Sequence, residues 1–349
     1  MKHILLILTG GTICTSVTED GTRAVSAKAA AQLKLNFLNN CAYAEEIQIE
    51  ESENFYVLSE NMTIDIWNRL IDYLRTVDFS AYDGIVIAHG TDTLAYSAAM
   101  FSYVLTDAKI PVFFVSSQRP LSDPLANGNA NFKAAVDCIM AGITPNVYVT
   151  YLNISDGKMY LHLGSHIRQC ENYSDDFESF DALDISMLSD VTLEKIKKAY
   201  PSKEKHPICT LYGDWHLKDT VLMIVPYVGL NYDAFSLGSY RAVLHGTYHS
   251  GTVCTQTEEH HDKYSILYLL DRCKENHVAL YLSPSKVEGE VYDTVPTVAR
   301  HRHTPHFLWG MTTEASYAKL VLLYSLYDRE EEIDAWMKIN VNFEINPPE

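Results

Sequence analysis

Short runs of consecutive apolar residues alternate with longer stretches whose apolar positions recur every three or four residues, and this alternation predicts strand followed by helix along most of the chain. Residues 4–8 (ILLIL) form the first run and 84–88 (GIVIA) the second clear one; 55–58 reads as a strand end, and 112–116 and 147–152 as further strands. Helices are expected between them, over 26–38, 63–76, 95–105 and 129–141. Thr63 is placed to cap the second helix, with Asp65 in its first turn. Strands that alternate with helices in this order predict an α/β fold, a parallel flavodoxin-like or Rossmann-like sheet with helices on both faces.

Past residue 152 the pattern changes. Residues 158–163 read as a hairpin strand and 169–180 as a polar, acidic loop. A charged helix over 193–200 runs into Pro201-Ser202-Lys203-Glu204-Lys205-His206-Pro207, which has linker composition. Strands resume at 221–225, 242–245 and 278–282, with helices over 264–276 and 313–326. The division predicts an amino-terminal domain over 1–190, a linker over 191–215 and a smaller α/β carboxy-terminal domain over 216–349.

Composition narrows the function classes. At 349 residues the chain is long enough for two domains, and 47% apolar with 21% charged residues fits an ordinary globular protein. A formal net charge of -18 repels nucleic-acid phosphates and anionic membrane surfaces, which argues against either as a partner. The first apolar run is shorter than a signal-peptide core, and no stretch approaches the length of a membrane span. Seven cysteines without CxxC spacing point to free thiols, hence to a reducing, cytoplasmic compartment.

The candidate chemistry sits where the two clearest strands end. The first breaks into Thr9-Gly10-Gly11-Thr12-Ile13 and the second into His89-Gly90-Thr91-Asp92-Thr93. Ligands of an open parallel sheet bind in the crevice at the carboxyl ends of its strands, and glycines let the backbone approach a ligand closely. Thr12 is the candidate nucleophile: it ends a turn in which Gly10 and Gly11 leave room for a ligand and free N–H groups. By itself the first motif also fits a helix cap or a phosphate-cradling turn, and Asp92 a helix N-cap.

TGGTI followed some eighty residues later by HGTDT resembles the pair of signature motifs of bacterial-type L-asparaginases, of the cytoplasmic, type I-like kind. Leu58-Ser59-Glu60-Asn61-Met62-Thr63 is similar to that family's substrate loop, 111–120 (PVFFVSSQRP) to its third central strand and following turn, and Gly310-Met311-Thr312-Thr313-Glu314-Ala315 to a late helix start. The resemblance implies a two-domain hydrolase without cofactor or metal that assembles as a homodimer or homotetramer. It implies L-asparagine as substrate, Thr91 near the attacked carbonyl or the hydrolytic water, and Asp92 on the substrate's α-amino group. Ser59 and Glu60 would hold the α-carboxylate and α-amino group, with Gly11, Gly90 and Ser117 completing the substrate-binding set.

Two positions depart from the family. Its flap tyrosine has Thr22 at the best-matching place, and no tyrosine occurs between Thr12 and Tyr43. Its lysine, which completes a Thr-Lys-Asp arrangement, falls in Gly164-Ser165-His166-Ile167-Arg168-Gln169-Cys170-Glu171, where Arg168, Gln169 or Glu171 stands at the place, depending on a short insertion. Arg168 is the fourth catalytic position in this reading, as a fixed cation that cannot act as a base near neutral pH. These departures leave open a shifted substrate, glutamine or another small amide, and a weakly active asparagine- or aspartate-sensing role. Two histidine-rich runs, His260-His261 beside Glu258-Glu259 and His301-Arg302-His303 with His306, lack the spacing of a metal site and read as a solvated surface or an interface. The acidic run Asp328 to Glu332 reads as a solvated face.

Overall fold

A computed structural model of the chain describes residues 1–17, 23–25, 27–52, 55–201, 204–257, 262–285 and 292–346. It divides into two compact units, Met1–Gly213 with Val341–Phe343, and Asp214–Asn340 with Glu344–Glu349.

The first unit carries strands β1 (Lys2–Leu8), β2 (Thr15–Val17), β3 (Arg23–Val25), β4 (Ile47–Glu51), β5 (Gly84–Ala88), β6 (Val112–Val115), β7 (Val147–Leu152), β8 (Met159–Leu163) and β9 (Leu183–Asp184). Its helices are α1 (Ala27–Asn40), α2 (Ile64–Thr76), α3 (Leu94–Val104), α4 (Gly128–Met140) and α5 (Asp190–Ala199). Seven strands form one sheet in the order β4-β1-β5-β6-β7-β8-β9, parallel from β4 to β7 and antiparallel beyond, while β2 and β3 make a separate hairpin. Counting only the parallel strands, the spatial order is 2-1-3-4-5, the flavodoxin-like winding, and its switch point lies between β1 and β5.

Apolar side chains on successive residues of β1, β5 and β6 go to opposite faces, and both faces are covered. On one face Ile4, Leu6, Val86, Phe113 and Val115 pack with Leu33 and Phe37 of α1 and Phe132, Val136 and Ile139 of α4. Phe114 faces Phe101 of α3 on the other, where Trp67 of α2 donates to Ser97 of α3 at 2.9 Å. Ile196 and Tyr200, in and just after α5, are buried in the first face's core, which is why residues 191–213 fold with this unit.

The expected helices and the parallel sheet are present, and Thr63 caps α2 by accepting from Ile66 N. One strand of the sheet differs from expectation. The strand beside β1 is Ile47–Glu51, not 55–58, where only Val57 bridges to Gly10. With only Ile47 and Ile49 buried in it, this edge strand carries too few apolar residues to stand out.

The second unit contains β10 (Val221–Ile224), β11 (Ala242–Gly246), β12 (Ala279–Ser283) and β13 (His306–Phe307), all parallel and in chain order, with α6 (Ile266–Glu275), α7 (Thr294–Ala299), α8 (Thr313–Leu326) and α9 (Glu330–Met337). Ile266, Leu269, Leu270 and Cys273 of α6 cover Val243, Leu280 and Leu282. Tyr281 meets Tyr324 of α8, and Ser283 meets Ser316, at 3.1 and 3.0 Å. Thr312 caps α8 through Ala315 N. All of Lys319 is buried, its ammonium bonded to the equally buried Glu344 and to the Ile339 carbonyl. The acidic run opens α9, placing Glu330, Glu331 and Glu332 at the positive end of its dipole.

Candidate active site

The switch point brings three chain segments into backbone contact. After β1, Gly10 and Gly11 take φ of 117° and 73°, conformations open to glycine, and turn the chain into a 3-10 turn that begins at Thr12. Val57 pairs with this turn on both sides, accepting from Gly11 N at 3.1 Å and donating to Thr9 O at 2.8 Å. Thr9 itself is tied to the end of β5, its N–H and hydroxyl both on Ala88 O. A Cβ built at Gly11 would stand 2.1 Å from Gly90 Cα, and one at Gly90 2.4 Å from Ser59 Oγ. The Thr12, Ser59 and Thr91 segments therefore meet at the closest approach that backbone allows.

Within this meeting point the polar groups are ordered. Buried Ser59 donates its hydroxyl to Asp92 Oδ2 at 2.7 Å and receives Asp92 N at 3.3 Å, while Thr93 donates to Ser59 O. Asp92 is thus held by Ser59 and is itself exposed. Thr12 and Thr91 are half-buried, and each opens a short 3-10 turn whose first N–H has no partner within the turn. Among the described residues neither N–H makes a hydrogen bond. Thr15 Oγ1 bonds Thr12 O at 2.9 Å and stiffens the turn. Glu60 follows Ser59 in its own 3-10 turn and is exposed.

Other expected residues sit differently. Ser117 is fully buried; its hydroxyl donates to Arg119 O at 2.6 Å and receives Gly128 N at 3.1 Å, so it anchors the start of α4. Arg168 is not brought to Thr91 or Asp92. Its side chain is 55% exposed and faces Glu178 at 3.7 Å. Gln169 reaches inward instead, its Nε2 donating to Thr91 O at 2.9 Å and lying 3.5 Å from Cys170 Sγ. The cause is strand parity: Ile167 is fully buried and bridged to Ser179, so the next residue faces out and the one after it faces in. Burial raises the Cys170 thiol, with Asp92 nearby adding to the effect, so it stays protonated at neutral pH.

Sequence reasoning also passed over His89. Its ring is buried, and burial lowers its pKa to about 4, against the opposing pull of the Gly90 carbonyl and Asp92. Nδ1 lies 2.8 Å from Gly90 O. A carbonyl only accepts, so Nδ1 carries the proton.

His301, His303 and His306 of the second unit are engaged with carboxylates. His301 and His303 approach Asp271 at 3.6 and 3.8 Å beside Arg302 at 2.9 Å, and His306 bonds Asp334 and Glu330 at 2.8 and 3.2 Å. Among the described residues no group of three or more His, Cys, Asp or Glu side chains is arranged to hold a metal ion. Thr22 and the His260-His261 run with Glu258 and Glu259 lie outside the described residues. All seven cysteines are free, and among the described residues no helix is long and apolar enough to cross a membrane.

Comparison with known proteins places this arrangement in a family. The chain is 27% identical over 350 residues to a glutamyl-tRNA(Gln) amidotransferase subunit of Methanococcus maripaludis (strain C6), covering 99% of this chain and 81% of that protein. The corresponding amidotransferase subunit of Saccharolobus solfataricus is also 27% identical, over 99% and 77% of the two chains. In fold the chain is similar to the thermostable L-asparaginase of Thermococcus kodakarensis (TM-score 0.70, 22% identity, 99% of this chain and 100% of that one). It is equally similar to L-asparaginase I of Vibrio cholerae (TM-score 0.69, 22% identity, 99% of both chains). The family model for the asparaginase amino-terminal region matches residues 3–203, more than half of the chain, and the protein belongs to the asparaginase family of amide-acting enzymes.

Proposed function

We propose that the protein hydrolyses the side-chain amide of L-asparagine to L-aspartate and ammonia, with Thr12 as nucleophile. The observation that carries this reading is the convergence of Thr12, Ser59 and Thr91–Asp92 on one crevice at the sheet's switch point. Thr12 Oγ attacks the amide carbon, and the N–H groups of Thr12 and Thr91, which make no hydrogen bond among the described residues, receive the charge that develops on the carbonyl oxygen. The C–N bond then breaks, the nitrogen takes up the proton that the Thr12 hydroxyl gave up and leaves as ammonia, and an ester remains on Thr12. Water hydrolyses that ester, releasing aspartate and restoring the hydroxyl. Asp92, braced by Ser59, offers its carboxylate to the substrate's α-ammonium, with Glu60 beside it.

Gln169 supports Thr91 but carries no titratable group, so it holds geometry without moving a proton. Slow turnover follows. A second reading draws on the amidotransferase relatives: the ammonia is handed to a partner protein for transfer, with glutamine as an alternative amide donor. Ammonia release measured with asparagine and with glutamine, alongside the thermal shift that L-aspartate induces, separates the cases. Release with asparagine supports the first reading, release with glutamine alone the second. Aspartate binding without release from either amide points to a sensing role.

A further inference from the structure

The Gly90–Thr91 peptide carries one of the two N–H groups assigned to the oxyanion, and its own residue cannot fix it, because glycine accepts either orientation of the following peptide. What holds it is a pair of buried side chains at the ends of neighbouring strands. In the register of β5 with β6, Ala88 stands beside Val115, so His89 stands beside Ser116 one step on, and His89 N continues the pairing to Val115 O at 2.8 Å. Both side chains face the α3 side, where the His89 ring packs edge-on to Phe114 with centroids 5.7 Å apart. Both residues are buried, at 1% and 0% exposure.

His89 Nδ1–H donates to Gly90 O. Its Nε2 is therefore an acceptor, and among the described residues neither Nε2 nor Ser116 Oγ has a hydrogen-bond partner. Each such orphan costs about 1–3 kcal/mol if left dry. The backbones of adjacent strands run about 4.8 Å apart, so side chains at neighbouring positions on one face stand within reach of one bridging water, which would donate to Nε2 and accept from the serine hydroxyl.

We infer that His89 and Ser116 are a buried positioning pair, joined by one internal water, that fixes the Gly90–Thr91 peptide with its N–H turned toward the crevice. In a trans peptide the C=O and N–H point in opposite directions, so drawing Gly90 O onto the ring turns Thr91 N–H away from it. Burial keeps the ring neutral through the physiological range, which preserves the tautomer the contact requires. The catalytic consequence rests on the proposed amide hydrolysis; the geometry does not.

The test uses the full-length protein in two arms. In the kinetic arm, His89→Phe keeps a ring but removes the donor, and His89→Asn keeps a donor at the place of Nδ1. The expected result is a kcat lower by about 100-fold in His89→Phe with KM changed little, as for the loss of an oxyanion donor, and most of it recovered in His89→Asn. In the second arm, ¹⁵N NMR of the wild type should show the Nδ1–H tautomer from pH 5 to 9. It should also show a cross-relaxing water at the His89 ring that disappears in Ser116→Val. An unchanged kcat in His89→Phe, an Nε2–H tautomer, or a ring without water overturns the inference. If the wild type releases no ammonia from any amide, the hydrolase reading fails, while the NMR arm still decides the pair.

Discussion

Replacing Gln169 by lysine tests the link between the site's geometry and its speed. The Gln169 amide donates to Thr91 O at 2.9 Å from a half-buried position with Cys170 Sγ 3.5 Å away. A lysine there is one methylene longer, so its ammonium can keep the Thr91 contact while moving nearer to Asp92. Turning a neutral hydrogen bond into a charge-assisted one adds about 1 kcal/mol, or roughly fivefold in how firmly Thr91 is held. A titratable amine also restores a proton carrier, and positioned acid–base groups contribute about 10²- to 10⁴-fold. The exposed Asp92 carboxylate is partly screened by water, which favours the low end of that range.

The expected outcome for Gln169→Lys is therefore a rate on asparagine raised about 100-fold, read by single-turnover ammonia release. Gln169→Leu should fall below wild type. Arg168→Ala should match wild type, because a largely exposed pair at 3.7 Å contributes little. Gln169→Lys within twofold of wild type, with Arg168→Ala clearly slower, would refute the assignment of Gln169 to the relay position.

Thr12→Ala should abolish ammonia release while leaving circular dichroism and Tm unchanged, since a half-buried turn threonine adds little to stability. Asp92→Asn should weaken L-aspartate binding about 10- to 100-fold by calorimetry, the worth of a charge-assisted bond at 1.5 to 3 kcal/mol; unchanged affinity would leave Asp92 as a cap for α3. Gly90→Ala should lower stability by about 1–3 kcal/mol in urea titration, because its Cβ would lie 2.5 Å from Ser59 Cβ. Burial holds His89, His162 and His245 at pKa values of about 4, 3 and 4, below the ordinary 6.5. Between those values the unfolded chain binds protons that the native state refuses. Stability should thus be level above about pH 6.5 and fall as pH drops toward 4, by up to about 1.4 kcal/mol per pH unit for each histidine. Urea titrations at pH 7 and 5 that gave equal stability would contradict this.

The fold was readable wherever a strand is buried on both faces. Such strands carry unbroken apolar runs, as in Ile4–Leu8 or Val112–Val115, and the helices between them announce their caps, as Thr63 does. Short or edge strands and the last helix were not readable. Strand β4 hides its alternation among glutamates, and β9 and β13 are two residues long, too short for any pattern to register. Helix α9 was seen only as an acidic run, because Ile333 and Met337 are its only two buried residues.

The same contrast explains the site. The turns that carry Thr12 and Thr91–Asp92 were legible in advance because glycines fix them: Gly11 and Gly90 are required by contacts that admit no side chain, so the turn sequence and its geometry are inseparable. Ser59 lies in a turn without glycine and was named only through the family resemblance. Gln169 is placed by something the local sequence does not spell out, the parity of a segment whose register depends on Ile167 bridging Ser179 twelve residues later. A charge-based choice favoured arginine at that point, whereas burial favours the uncharged neighbour: a guanidinium drawn inward would have to shed its water, and an amide needs only the Thr91 carbonyl. His89 escaped notice for a related reason. A histidine in a threonine-rich motif invites a reading as acid or base, yet its burial and its bond to the next carbonyl make it useful only while it does not titrate. In this crevice the exposed groups are suited to the chemistry, and the buried polar groups to holding the backbone that performs it.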